Sequence, residues 1–149
     1  MKLITTLIVT FILNQMILAR TFGEELGDWK IEKGSTGYYL IKKDLEPKMI
    51  KVRTIGGTPK VINVIAKKEL PDQYVLVIYQ AGSAGTSDIV TVYRAIIYNL
   101  KENKFIKDLP YKYESQNKKE IPQPEWNISK TSIKVKDPNN GKEEVVSLF

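Results

Sequence analysis

Two long apolar runs close together constrain this chain more than any other feature. Tyr74–Tyr79 reads YVLVIY and Ile89–Tyr98 reads IVTVYRAIIY. Both are rich in β-branched and aromatic residues and contain neither glycine nor proline, the composition of central strands. Between them lies the small polar stretch Ala81–Asp88, AGSAGTSD. The simplest arrangement is a long hairpin through the core with this stretch as its tip.

The flanking sequence repeats the theme with shorter segments. Asp28–Lys33 alternates apolar and charged residues, Gly34–Gly37 is a turn, and Tyr38–Lys42 returns. Lys43–Pro47 breaks the pattern, because proline has no N–H for a ladder. Met49–Ile55 alternates most clearly, with Ile50, Val52 and Thr54 on one side. Gly56-Gly57 then suits a tight turn, and Val61–Ala66 returns. Downstream, Lys104–Lys107 is a short strand, and Pro110–Tyr113 leads into Glu114–Pro124, which reads as an exposed excursion. Trp126–Ser129, Thr131–Lys136 and Glu143–Phe149 follow, the last two joined by the turn Asp137–Gly141. No segment after the amino terminus keeps a helical period over ten or more residues. The expected fold is therefore all-β, a single antiparallel meander of about eight or nine strands closed as a barrel or sandwich. Residues 24–149 are expected to form one domain, because a chain of 149 residues has too little length for two comfortable cores.

The amino terminus has the layout of a secretory signal. Met1-Lys2 gives a positive start, and Leu3–Ala19 is uncharged and mostly apolar. Small residues allow processing after Ala19 or after Gly23. The run falls short of the roughly 20 apolar residues of a membrane span and is interrupted by Asn14-Gln15. A signal helix over residues 1–19 is expected, touching the membrane only before cleavage. The product is then periplasmic or secreted, and the lysine-, asparagine- and isoleucine-rich composition without cysteine suits a bacterial source.

Composition removes several chemistries. The chain has no cysteine and no histidine. Thiol nucleophiles, zinc–thiolate centres and imidazole bases are all excluded, and with them any Ser-His-Asp triad. No cofactor and no metal is expected; Asp137–Glu144 departs from calcium-loop spacing by one residue. A net charge of +6 spread over many lysines reads as a solvated basic surface. Nucleic acid is not an expected partner of an exported chain.

The remaining candidates are the tip and two tyrosines. Gly82, Ser83, Gly85, Thr86, Ser87 and Asp88 offer backbone amides and small polar groups at the end of a rigid hairpin, where binding residues often sit. The stretch is not a P-loop, since no lysine follows its second glycine, nor a nucleophile elbow, since Ala81 stands where glycine is required. Tyr111 and Tyr113 lie in a proline-flanked basic stretch and are the expected exposed aromatics. Asp72, Asp88, Glu102 and Asp108 flank the hairpin and read as solvated turn residues. The expected function is a non-enzymatic binding domain that meets a protein, or an envelope glycan or peptide, through its loops. An inhibitor-like version inserts the Ser/Gly loop into a partner's cleft, as small exported lysozyme inhibitors do; their cysteine-containing stretch is missing here, and no family is assigned. The alternatives are a small envelope hydrolase using carboxylates or a Ser/Lys pair, and a structural subunit of an envelope assembly.

Overall fold

Alternation decides which residues enter strands, and continuous apolarity decides which strands lie deepest. The computed structural model describes residues 28–43 and 50–149. The signal segment and the interruption at Pro47 lie outside the described residues. Ten strands and no helix occur among those residues. The first three are β1 (Trp29–Gly34), β2 (Gly37–Lys42) and β3 (Ile50–Lys51). Next come β4 (Lys60–Ile65), β5 (Tyr74–Ala84), β6 (Val90–Asn99) and β7 (Lys104–Ser115). The last are β8 (Glu125–Ile128), β9 (Ser132–Lys136) and β10 (Glu143–Ser147).

All paired strands are antiparallel, as the sequence predicts, but they form three sheets rather than one curled layer. The orders are β1-β2-β3, β4-β5-β6-β7 and β10-β9-β8. The reason is visible in β5 and β6. Tyr74, Leu76 and Ile78 join one apolar cluster, whereas Val75, Val77 and Tyr79 join another. On β6, Ala95 and Ile97 belong to the first cluster, and Ile96 and Tyr98 to the second. Successive strand residues point to opposite faces, so the central sheet buries both. The first cluster includes Ile133, Val135, Val146 and Leu148 from the C-terminal sheet and its end. The second includes Trp29, Leu40 and Val52 from the N-terminal region. A curled single layer needs only one apolar face; these runs have two, and each is covered by a separate small sheet.

The segment Met49–Ile55 departs most from expectation. Among its described residues, 50–55, only Ile50–Lys51 is strand, paired with β2, so this stretch does not form a hairpin with β4. Val52 turns inward, while Thr54 is exposed. Farther on, Gly56 forms an isolated parallel bridge with Gly82 on β5. Ile55 N–H donates to Ala81 O (3.1 Å) and Ser83 N–H to Gly56 O (3.0 Å). Ile55 and Gly56 thus extend the pairing of β5 past the start of β4, and the chain reverses direction between Gly56 and Lys60.

The short strand expected at 104–107 runs on through 110–113, read from sequence as the approach to a loop, and forms one strand, β7, of 12 residues. Pro110 is tolerated because β7 is the sheet edge and its pairing with β6 shifts between Tyr93 and Arg94. Beyond β7, Gln123 clasps that edge. Its amide Nε2 donates to Tyr113 O (2.7 Å), and its Oε1 accepts from Tyr113 N–H (2.9 Å). The side chain thereby supplies the pair of bonds a neighbouring strand residue would make and blunts an otherwise open edge.

Candidate functional site

The hairpin tip is shorter than the small-residue stretch suggests. β5 runs on through Ala84, so Gly82 and Ser83 are strand residues, and the connection to β6 is residues 85–89. A register shift between Gln80 and Gly82 marks a bulge. Gly82 has φ of 130°, a region that favours glycine, and a Cβ there would lie 2.0 Å from Gly56 O. It is buried and offers nothing to a ligand. Ser83 Oγ and Thr91 Oγ1, 2.9 Å apart, hydrogen-bond to each other across the hairpin just below the tip.

The tip itself is both exposed and pinned. Gly85, Thr86 and Ser87 are exposed. Gly85 has φ of 127°, and a Cβ there would meet Asp88 O at 2.1 Å, so the loop doubles tightly back on itself. Asp88 Oδ1 accepts from Ser115 Oγ (2.8 Å) and from Asn117 Nδ2 (3.2 Å). Gln116 N–H donates to Ile89 O (2.8 Å). The end of β7 therefore braces the loop, and the Asp88 carboxylate is part of that brace.

The two tyrosines are not exposed and do not join the tip. Tyr113 is buried, and its hydroxyl donates to Asp137 Oδ1 (3.1 Å) in the turn between β9 and β10. Tyr111 is half-buried against Trp126, with ring centroids 5.8 Å apart and planes at 73°. The eight candidate residues thus divide between a tip, a bulge beneath it, and the contact with the C-terminal sheet.

Asp108 is likewise not a solvated turn residue. Its Oδ1 accepts from Arg94 Nε (2.7 Å) and its Oδ2 from the Tyr79 hydroxyl (2.6 Å). Arg94 Nη2 also donates to Asp108 O (3.2 Å), and the Tyr79 oxygen accepts from Arg53 N–H (3.1 Å). The Arg94 and Asp108 side chains are each only 11% exposed. These residues sit side by side on β5, β6 and β7, so the network ties the central sheet together. An arginine inside a central strand needs a buried acceptor, and that was the one sequence signal for it.

Burial foremost, and then the Asp108 carboxylate, push the Tyr79 hydroxyl well above the ordinary tyrosine pKa of 10.0. The folded state holds this proton more tightly than the unfolded chain does. Its contribution to stability is complete below about pH 10 and is lost as pH rises beyond it. Urea midpoints measured from about pH 9 to pH 11.5 should fall with pH, and Tyr79→Phe should flatten that fall. Burial also raises Tyr93, Tyr98 and Tyr113, so a residual slope should remain. A slope unchanged in Tyr79→Phe would refute the assignment.

Asp88 and Asp108 do not pair. Asp88 bonds Ser115 and Asp108 lies seven positions earlier on the same strand, a separation of roughly 20 Å at the usual rise per residue. Paired glycoside-cleaving carboxylates lie within about 10 Å. Asp72 and Glu102 are exposed at the opposite end of the hairpin. Among the described residues no three acidic groups gather as a metal site. Comparison with family models, with curated proteins and with solved structures found no match to this chain.

Proposed function

We propose that the chain is exported and acts as a non-enzymatic β-domain, binding a protein or a cell-envelope glycan or peptide through its loops, the 85–89 tip foremost. The observation that carries this is the brace on an exposed loop: Thr86 and Ser87 face outward, while Asp88 is held by Ser115 and Asn117. A loop already fixed in shape loses little conformational entropy on binding. Export is supported by the positive start and apolar stretch at residues 1–19. An inhibitor-like insertion into a partner's cleft fits the small side chains at the tip.

Replacing both Thr86 and Ser87 by arginine changes the tip without touching the brace. The full chain should sediment with purified cell-wall sacculi or slow their lysis by lysozymes of different classes. The double variant should lose about tenfold in that activity while keeping its unfolding midpoint, as expected for exposed contact residues. An inert wild type, or a variant as active as wild type, would reject the tip as the binding element. The assembly-subunit alternative draws on one observation: β10 is the edge of its sheet with Val145 58% exposed, and Phe149 beyond the strand is 81% exposed. Concentration-dependent sedimentation, lost in Val145→Lys, would favour it.

A further inference from the structure

A second site lies away from the tip, where strand β8 meets the central sheet. A cleft of about 260 Å³ opens there, lined by Lys67, Leu76, Tyr111, Lys112, Trp126 and Ile128. Leu76 is fully buried and forms its floor. Trp126 Nε1–H donates to Pro110 O (3.0 Å), which fixes the indole against the backbone of β7 and satisfies its only polar atom. Tyr111 meets it edge to face. The two aromatic walls are therefore oriented before any ligand arrives.

Two lysines, Lys67 and Lys112, line the cleft. The Lys112 ammonium is 3.2 Å from Glu114 Oε2 and lies over the Tyr93 ring at 5.8 Å. No such carboxylate is within ion-pair distance of Lys67 among the described residues. The volume falls just below the roughly 300–1,000 Å³ of pockets for drug-sized ligands. A single substituted ring suits a cleft of this size. The walls are poor in hydrogen-bonding groups, which disfavours a polyhydroxylated ring, whereas a third aromatic ring completes an edge-to-face cluster.

We infer that this cleft binds a small aromatic carboxylate, its ring against Tyr111 and Trp126 over Leu76 and its carboxylate at Lys67. The site is independent of the proposed role of the tip.

Calorimetric titration of the full chain with 3-phenylpropanoate tests this. Binding in the range of about 0.1–5 mM is expected for a ligand of this size. The neutral 3-phenylpropanamide should bind about fivefold or more weakly, and Lys67→Gln should weaken the acid, but not the amide, by a similar factor. Trp126→Leu should remove binding of both. Ile128→Phe should do the same by filling the cleft, which guards against a folding defect in the tryptophan variant; the Thr86/Ser87 double variant should bind normally. No heat with the acid at 10-fold above that range, equal affinity for acid and amide, or tighter binding of glucuronate than of phenylpropanoate would overturn the inference.

Discussion

Replacing Gly82 by alanine is expected to destabilise the fold by about 3–5 kcal/mol, well above the roughly 1 kcal/mol of a typical substitution. The added Cβ would lie 2.0 Å from Gly56 O, 2.6 Å from Gly56 N and 2.8 Å from Gly56 C. These are backbone atoms, so no rotamer change relieves the overlap. Relief requires residues 55–57 to move off β5, breaking the bonds from Ile55 N–H to Ala81 O and from Ser83 N–H to Gly56 O. The φ of 130° adds strain of its own for any residue with a side chain. Gly57→Ala is the matched control: its φ is 84°, but nothing lies within 4 Å of the new Cβ, so a loss of about 1 kcal/mol is expected from backbone strain alone. Urea unfolding of both variants gives the comparison. Equal losses at the two glycines would show that the close Gly56–Gly82 approach is not the source of the cost.

Asp108→Ala should cost about 2–4 kcal/mol, somewhat below the usual figure for breaking a buried ion pair because the two side chains retain slight exposure. The loss has two parts. Arg94 keeps its bond to the Asp108 backbone carbonyl but loses its counter-charge, and the Tyr79 hydroxyl loses its acceptor. Both stay buried, so the cost is that of stranded polar groups more than of a missing attraction. Removing all three polar groups separates these contributions. The triple variant Arg94→Met, Asp108→Leu, Tyr79→Phe should recover to within about 1 kcal/mol of wild type, since apolar groups of similar size often replace buried ion pairs at little cost. A triple variant as unstable as Asp108→Ala would mean that the charges themselves support the sheet.

Much of the strand pattern was legible because turn residues punctuate it. The hairpins β1–β2 and β9–β10 lie where the alternation and the turns at Gly34–Gly37 and Asp137–Gly141 place them. The partition into three sheets was less accessible. The runs in β5 and β6 carry apolar residues at odd and even positions alike, which signals burial of both faces. What covers each face depends on short, distant segments such as Ile50–Lys51, whose partner no local pattern names. At the tip, Thr86, Ser87 and Asp88 read correctly as loop. Gly82 did not, because a strand glycine that marks a bulge resembles a loop glycine until its φ is known. Ser115 and Asn117, which brace Asp88, lie 27 and 29 residues away along the chain. The aromatic pair Tyr111–Trp126 was equally hidden, since only tertiary packing brings it together.

The order of synthesis gives the doubly covered central sheet a further consequence. Strands β4 to β7 leave the ribosome before β8 to β10 exist, and the face bearing Leu76, Ile78, Ala95, Ile97 and Leu109 is covered by residues of the last sheet. A nascent chain stopped at about residue 120 would present that face bare, with the Gln123 clasp on its edge not yet made. Such a surface invites association with other chains. A chain truncated at about residue 120 is therefore expected to self-associate at concentrations where the full chain does not, which sedimentation of the two would check.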